Sequence, residues 1–154
     1  MVVLLSVPIL FVLLMLQMVI FRNILLLSGT ADIVLLVLIA WALHERTKGV
    51  WQAALIAGFL VGAVSALPFY IPMFAYLLIV LAAKRLQTHI WQAPVLAMFF
   101  ITVVGSFGYN ALSLIALQLS GTWLQWDEGL AQVILPAALL NLLLSLPVYA
   151  LVSD

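Results

Sequence analysis

The side chains that support acid–base, nucleophilic or metal chemistry are few in this sequence. Its 154 residues include five lysines and arginines, five aspartates and glutamates, two histidines and no cysteine. The lack of cysteine excludes disulfides, thiolate metal sites and thiol catalysis. His44 and His89 each lack a second histidine or a cysteine at metal-ligand spacing. We therefore interpret both as solvated residues and expect no metal and no cofactor.

Asp32 is the acidic residue that comes closest to the interior of an apolar segment. An aspartate directly before an apolar run is a common helix start, because its carboxylate accepts hydrogen bonds from first-turn amides. We therefore interpret Asp32 as a helix cap. The alternative is a proton or cation site, which requires a partner that the sequence does not identify. Phosphate-binding loops, zinc-protease motifs and serine-hydrolase motifs are also absent from the sequence, so we expect no catalytic residue and no enzyme.

The composition indicates the class of protein that must position these residues. Apolar residues make up 68% of the chain and charged residues 6%, with a mean hydropathy of +1.38. A soluble domain carries far more charge on its surface, so we expect an all-α integral membrane protein. The formal net charge is zero. Five scattered cations do not form the basic face that nucleic-acid binding requires.

The apolar runs are separated by charged residues, prolines and glycines, which predicts six transmembrane helices in a compact bundle. We expect residues 1–154 to form a single transmembrane domain. The predicted spans are about 2–21, 32–43, 51–67, 69–83, 91–118 and 129–152. The first run lacks a basic start and a cleavage pattern, so we interpret it as a retained helix.

The distribution of charge predicts the orientation of the bundle. The segments after the second and fourth spans carry four of the five cations, namely Arg46, Lys48, Lys84 and Arg85. The segment before the last span carries Asp127 and Glu128. The positive-inside rule then places both termini in the cytoplasm. The tryptophans agree with this topology, because all five flank predicted membrane interfaces, at Trp41, Trp51, Trp91, Trp123 and Trp126.

Small residues recur every four positions along the third span, at Ala54, Gly58, Gly62 and Ala66. Such a stripe allows another helix to approach closely. Packing within the bundle is the favoured interpretation, and an interface for a partner protein is the alternative.

Two polar stripes follow the later spans. Thr102, Ser106, Asn110 and Ser113 share one face of the fifth span, and Asn141 and Ser145 share one face of the sixth. Such side chains form hydrogen bonds between helices where lipid offers no donors. The alternative is a small polar cavity for a solute, lined by both stripes.

The order of several segments resembles the rod shape-determining MreD proteins of bacteria, and this likeness covers nearly the whole chain. The segments are 28–36 and 39–43 in the second span, 58–62 in the third, and 133–141 and 146–149 in the last. Two positions depart from the family pattern. Ala31 stands where the family has proline, and Ala66 stands where it has aspartate. With Ala66, this chain lacks the acidic residue that the family has in the membrane interior. This difference favours a packing role over a chemical one.

The resemblance implies a function in lateral cell-wall elongation at the bacterial cytoplasmic (inner) membrane. It implies a non-enzymatic scaffold that binds MreC and helps to organise peptidoglycan synthases. Further implied partners are the SEDS glycosyltransferase RodA, a class B penicillin-binding protein, the MreB filament and the lipid bilayer. The family is also similar to the substrate-binding membrane subunits of vitamin transporters. A small-solute transporter, or its substrate-binding subunit, is therefore the alternative function.

Overall fold

The computed structural model describes residues 2–21, 32–44, 48–65, 67–89, 92–121 and 125–153. These residues form six helices and no strand, so the prediction of an all-α protein is confirmed for them. The helices are α1 (Val2–Phe21), α2 (Ile33–Leu43), α3 (Val50–Val64), α4 (Tyr70–His89), α5 (Pro94–Leu119) and α6 (Trp126–Ser153). Predicted features at Arg22, Arg46, Ala66, Trp91 and Trp123 lie outside the described residues.

Helix α2 lies at the centre of the bundle. It packs against each of the other five helices, which follow one another around it in the order α1, α3, α4, α5, α6. Eight of its eleven residues are buried. An apolar helix that is buried on nearly all sides cannot face lipid and must instead pack against other helices.

The outer helices have the dimensions and surface of a membrane protein. By length and composition, α4, α5 and α6 are each able to cross a membrane, whereas the described apolar parts of α1, α2 and α3 are shorter. Large apolar side chains are exposed around the outside, and Leu143 on α6 is 73% exposed. An apolar exterior of this extent is typical of proteins whose solvent is lipid.

The second basic segment differs from its prediction. Residues 84–89 were expected to form a loop, but α4 continues as a helix to His89. Lysine, arginine, leucine and glutamine are strong helix formers, and cations near a helix C-terminus compensate its dipole. Lys84 Nζ donates to Gln87 Oε1 at 3.2 Å and to the His44 carbonyl, at the end of α2, at 3.4 Å. Lys84 therefore caps the end of a neighbouring helix.

Helix α6 contains a π-helical turn at Leu130–Ile134, which ends two residues before Pro136. The Leu135 N–H donates to the Leu130 carbonyl, five residues back. Proline has no N–H to donate, and its ring crowds the preceding turn of an α-helix. A wider turn at this point keeps the helix continuous, which explains why α6 begins at Trp126 and includes the proline.

The small-residue stripe of α3 packs within the chain. Ala54, Gly58 and Gly62 are buried. Gly58 faces Met73 in the first turn of α4, and Gly62 faces Phe69, the residue before α4. A Cβ atom at Gly58 would overlap the backbone of Met73, and one at Gly62 would lie 2.6 Å from the Phe69 Cα. This face of α3 is therefore covered by the same chain and is not open to a partner. Ala66, the last predicted member, lies outside the described residues.

This contact predicts a difference between two glycine substitutions. Gly62→Ala should destabilise the protein by roughly 1–3 kcal/mol, because the backbone at Phe69 must move. Gly108→Ala on α5 is the matched control, since no atom lies within 4 Å of the added Cβ, and it should be neutral or slightly stabilising. Thermal unfolding of the purified proteins in detergent measures both. Equal melting temperatures for the two variants would show that Gly62 does not approach Phe69 closely.

Candidate functional site

Asp32 is the N-cap of α2, and its carboxylate lies inside the bundle with 8% of the residue exposed. The Leu35 N–H donates to Oδ1 at 3.0 Å, and the Tyr76 hydroxyl of α4 donates to Oδ2 at 2.7 Å. The side chain of Gln17, on α1, also lies within reach of the carboxylate. Both carboxylate oxygens are therefore engaged by groups of the chain itself.

Asn141 connects the start of α2 to α5 and α6. The Asp32 N–H donates to Asn141 Oδ1 at 2.7 Å, and Asn141 Nδ2 donates to Ser106 Oγ at 2.8 Å. Asn141 and Ser106 are both buried. The two predicted polar stripes thus meet at this one pair of residues.

Gln17 bonds to the first turn of α2. Its Oε1 accepts a hydrogen bond from the Val34 N–H at 3.2 Å. The Leu35 N–H is occupied by Asp32 and the Asp32 N–H by Asn141. These amides cannot bond within the helix and would otherwise have no partner. We call the five side chains that satisfy one another here the Asp32 cluster, namely Gln17, Asp32, Tyr76, Ser106 and Asn141.

The Asp32 cluster lies near the middle of the bundle along the helix axes. Ser106 is 12 residues from Pro94 and 13 from Leu119, or about 18 and 20 Å at about 1.5 Å per residue. Asn141 is 12 residues from Ser153, again about 18 Å. Because α2 has 11 residues, it is about 16 Å long and extends from this depth to one end of the bundle. Helix α2 therefore begins at mid-depth.

Within the described part of the chain, dipoles and not a cation hold the Asp32 carboxylate. Among the described residues no lysine, arginine or histidine bonds to it, and no group of acidic residues and histidines there could hold a metal ion. The N-terminus of a helix carries about half a positive elementary charge, and it lies directly beside the carboxylate. The partial positive charge at the start of α2 and the Tyr76 hydroxyl thus stabilise the carboxylate in the place of a cation partner.

The cluster does not have the geometry of a nucleophilic active site. Ser106 Oγ accepts from the Asn141 amide, and an amide cannot remove the hydroxyl proton. His44 is the C-cap of α2, and His89 bonds to the Arg85 carbonyl at the end of α4. Both histidines are exposed at helix ends, away from the cluster. The arrangement is suited to capping a helix and to attaching helices to one another.

The other members of the polar stripes do not join helices together. Asn110 Nδ2 donates to the Ser106 carbonyl and Ser113 Oγ to the Tyr109 carbonyl, both four residues back on α5. Ser145 is buried, and its hydroxyl donates to the Leu142 carbonyl of its own helix. Thr102 is fully buried, and its Oγ1 has no hydrogen-bond partner among the described residues. Within the described part of the chain, the two stripes are therefore joined to each other by the bond between Ser106 and Asn141.

Two members of the cluster were not predicted from the sequence. Gln17 and Tyr76 are single polar residues within long apolar runs. A polar side chain inside a predicted span is itself a signal, because it needs a partner there. The identity of that partner depends on how the helices are rotated, which the sequence pattern does not give.

Comparisons of the chain with protein-family models, with curated proteins and with solved structures find no match. The likeness to MreD proteins and to vitamin-transporter subunits therefore gains no support from them. The function is argued below from the residues of the chain and from their arrangement.

The geometry predicts that the amide form of residue 32 will serve nearly as well as the acid. Asp32→Asn should lower stability by about 1 kcal/mol or less, because asparagine is an equally good N-cap. Its amide oxygen can keep the bond from the Leu35 N–H, and its amide nitrogen can donate to the Tyr76 hydroxyl oxygen, which accepts as well as donates. Asp32→Leu should cost roughly 2–5 kcal/mol, because it leaves the Leu35 N–H and the Tyr76 hydroxyl without acceptors. Thermal unfolding in detergent compares the two. If Asp32 is instead a proton or cation site, the two substitutions should impair function equally, because neither keeps the carboxylate.

Proposed function

We propose that the chain crosses the bacterial cytoplasmic membrane six times, with both termini in the cytoplasm. The separation of charge supports this topology. Among the described residues, the cations Lys48, Lys84 and Arg85 lie at one end of the bundle, and Asp127 and Glu128 lie at the other. The cationic end then faces the cytoplasm. Residues 22–31, which precede the half-length helix α2, lie outside the described residues.

The chain contains no cysteine, so single cysteines report the topology without background. Thr88→Cys at the end of α4 should react with a membrane-impermeant maleimide only after the cells are permeabilised. Ser120→Cys after α5 should react in intact spheroplasts. Both residues are exposed at opposite ends of the bundle. The reverse labelling pattern would show that the orientation is the opposite of the one proposed. Labelling of both cysteines from the same side would show that the chain does not cross the membrane an odd number of times between residues 88 and 120.

We further propose that the protein is a non-enzymatic scaffold of the rod complex. In this proposal it binds MreC and helps to organise RodA, a class B penicillin-binding protein and the MreB filament. The resemblance of segments 28–36, 58–62 and 133–141 to MreD proteins is the basis for the named partners. The Asp32 cluster supports a structural role, because its polar groups form hydrogen bonds that join five helices.

The single observation that carries this proposal is the occupied N-terminus of α2. In many transporters, half-length helices begin at the bilayer centre and bind anionic substrates through free amides. Helix α2 has this position, which keeps a solute-binding subunit as the alternative. However, the amides of Asp32, Val34 and Leu35 are already bonded to side chains of the chain. A solute would have to displace these internal hydrogen bonds, so the scaffold is favoured.

A pull-down separates the two functions. The tagged protein is purified in mild detergent from a bacterial membrane that also contains MreC, RodA and a class B penicillin-binding protein. The scaffold proposal predicts MreC at close to one copy per chain by mass spectrometry, and none with a tagged membrane protein of similar size. Recovery of the protein alone, with a tightly held small molecule that raises its melting temperature, would refute the scaffold and support the transporter-like alternative.

A further inference from the structure

A continuous apolar groove runs along the outside of the bundle between α4 and α5. It consists of two adjoining hollows, of about 190 Å³ and about 360 Å³, that share Leu112 as a wall. From Ile101 to Leu119 the groove follows 18 residues of α5, or about 27 Å. This length is close to the ~30 Å thickness of a hydrocarbon core. Because the mid-depth residue Ser106 lies between those two ends, the groove extends through both halves of the bundle.

The groove residues of α5 recur with the spacing of a helix–helix contact. The repeat alternates steps of three and four residues, through Gly105, Gly108, Leu112, Ile115 and Leu119. A stripe with an average spacing of 3.5 residues stays beneath a neighbouring helix that crosses it at about 20°. The stripe therefore has the geometry that allows one further helix to lie along the groove.

Side chains along the groove remain exposed after α4 and α5 have packed together. Leu78 is 44% exposed, Val104 51% and Ile115 43%. At Gly108 an added Cβ atom would have no atom within 4 Å, so the groove is open there. A glycine in a helix costs about 1 kcal/mol relative to alanine, and Gly108 makes no close contact within the chain that offsets this cost. It does allow the backbone of another helix to approach closely.

A cation lies at one end of the groove. On α4 the groove residues Ala75, Leu78 and Ala82 are separated by three and four residues. Arg85 comes three residues after Ala82 and seven after Leu78, so it continues the same stripe, and it is exposed. Lys84, by contrast, donates to the His44 carbonyl at the end of α2. A partner with an acidic residue at this end of the groove is complementary in charge.

We propose that the groove binds the single transmembrane helix of a partner protein, which places an acidic residue of that partner beside Arg85. The inference rests on the proposed scaffold function, in which MreC is a partner, and it assigns the contact to α4 and α5.

Two other occupants fit the groove less well. A lipid acyl chain fills one leaflet, about 15 Å of the hydrocarbon core, whereas the groove extends through both halves of the bundle. A second copy related by two-fold symmetry would present the same concave surface. Two facing grooves leave space between them, whereas one helix fills a groove.

A substitution that fills the groove tests the proposal in the pull-down described above. Gly108→Leu should lower the recovery of MreC about tenfold, because the new side chain occupies the space that the partner helix needs. The melting temperature of this variant in detergent should stay close to that of the unmodified protein, since no atom of the chain lies within 4 Å of the new Cβ.

Two adjacent valines on α5 provide a matched pair. Val104 lines this groove, whereas Val103 lines a separate apolar groove formed by α4, α5 and α6. Val104→Phe should lower the recovery of MreC, and Val103→Phe should leave it unchanged. Full recovery with both Gly108→Leu and Val104→Phe, or a loss with Val103→Phe alone, would overturn the proposal and leave the scaffold function in place.

The charged contact has its own pair of variants. Arg85→Gln should lower the recovery of MreC about two- to fivefold, the effect of one exposed ion pair. Lys48→Gln removes another exposed cation at the same end of the bundle but does not line the groove, and it should have no effect. Equal losses with the two variants would contradict an acidic partner residue beside Arg85.

Photocrosslinking tests the groove without assuming that the partner is MreC. The crosslinking residue p-benzoylphenylalanine replaces either Leu112, in the groove, or Leu143, which is 73% exposed and does not line it. In irradiated bacterial membranes, position 112 should form an adduct with a single-pass protein, and Gly108→Leu in the same chain should abolish it. Position 143 should not form that adduct. Adducts of position 112 with lipid alone, or with a second copy of the chain, would overturn the proposal whatever the result with MreC.

Discussion

The first amides of a helix that starts inside an apolar bundle are out of reach of water, and this constraint shapes the interior of the protein. An unsatisfied amide in such surroundings costs several kcal/mol. Gln17, Asp32 and Asn141 accept hydrogen bonds from three amides at the start of α2, those of Asp32, Val34 and Leu35. Tyr76 and Ser106 in turn bond to Asp32 and Asn141. One helix start therefore explains why α1, α4, α5 and α6 each place a polar side chain in the core.

The rest of the described core is largely apolar. Around α2 the core is made of aliphatic residues, with Met98 and Tyr76 as its other large side chains. Helix α3 takes no part in the Asp32 cluster, and it is attached instead by the close approach of Gly58 and Gly62 to α4. Two kinds of attachment thus coexist. Hydrogen bonds position five helices around one point, and van der Waals contact between backbones positions the sixth.

Long apolar runs predicted the helices because a chain in lipid must satisfy its backbone internally. The position of Asp32 before such a run predicted a cap. The contacts of Tyr76 were not predictable, because its partner is 44 residues away and depends on how two helices are rotated. Asn110 and Ser113 share a stripe with Ser106, yet they bond to their own helix. Only Ser106 lies opposite a side chain, Asn141, that completes its hydrogen bonding.

The hydrogen bond between Asp32 and Asn141 joins residues that are 109 positions apart, which has a consequence for biogenesis. A ribosome that adds about 5–20 residues per second needs roughly 5–20 s to synthesise the intervening chain. During that interval the Asp32 N–H has no Asn141 to bond to, whereas Gln17 and Asp32 are already available to the Val34 and Leu35 amides. The start of α2 therefore gains its last side-chain partner only after most of α6 has been synthesised.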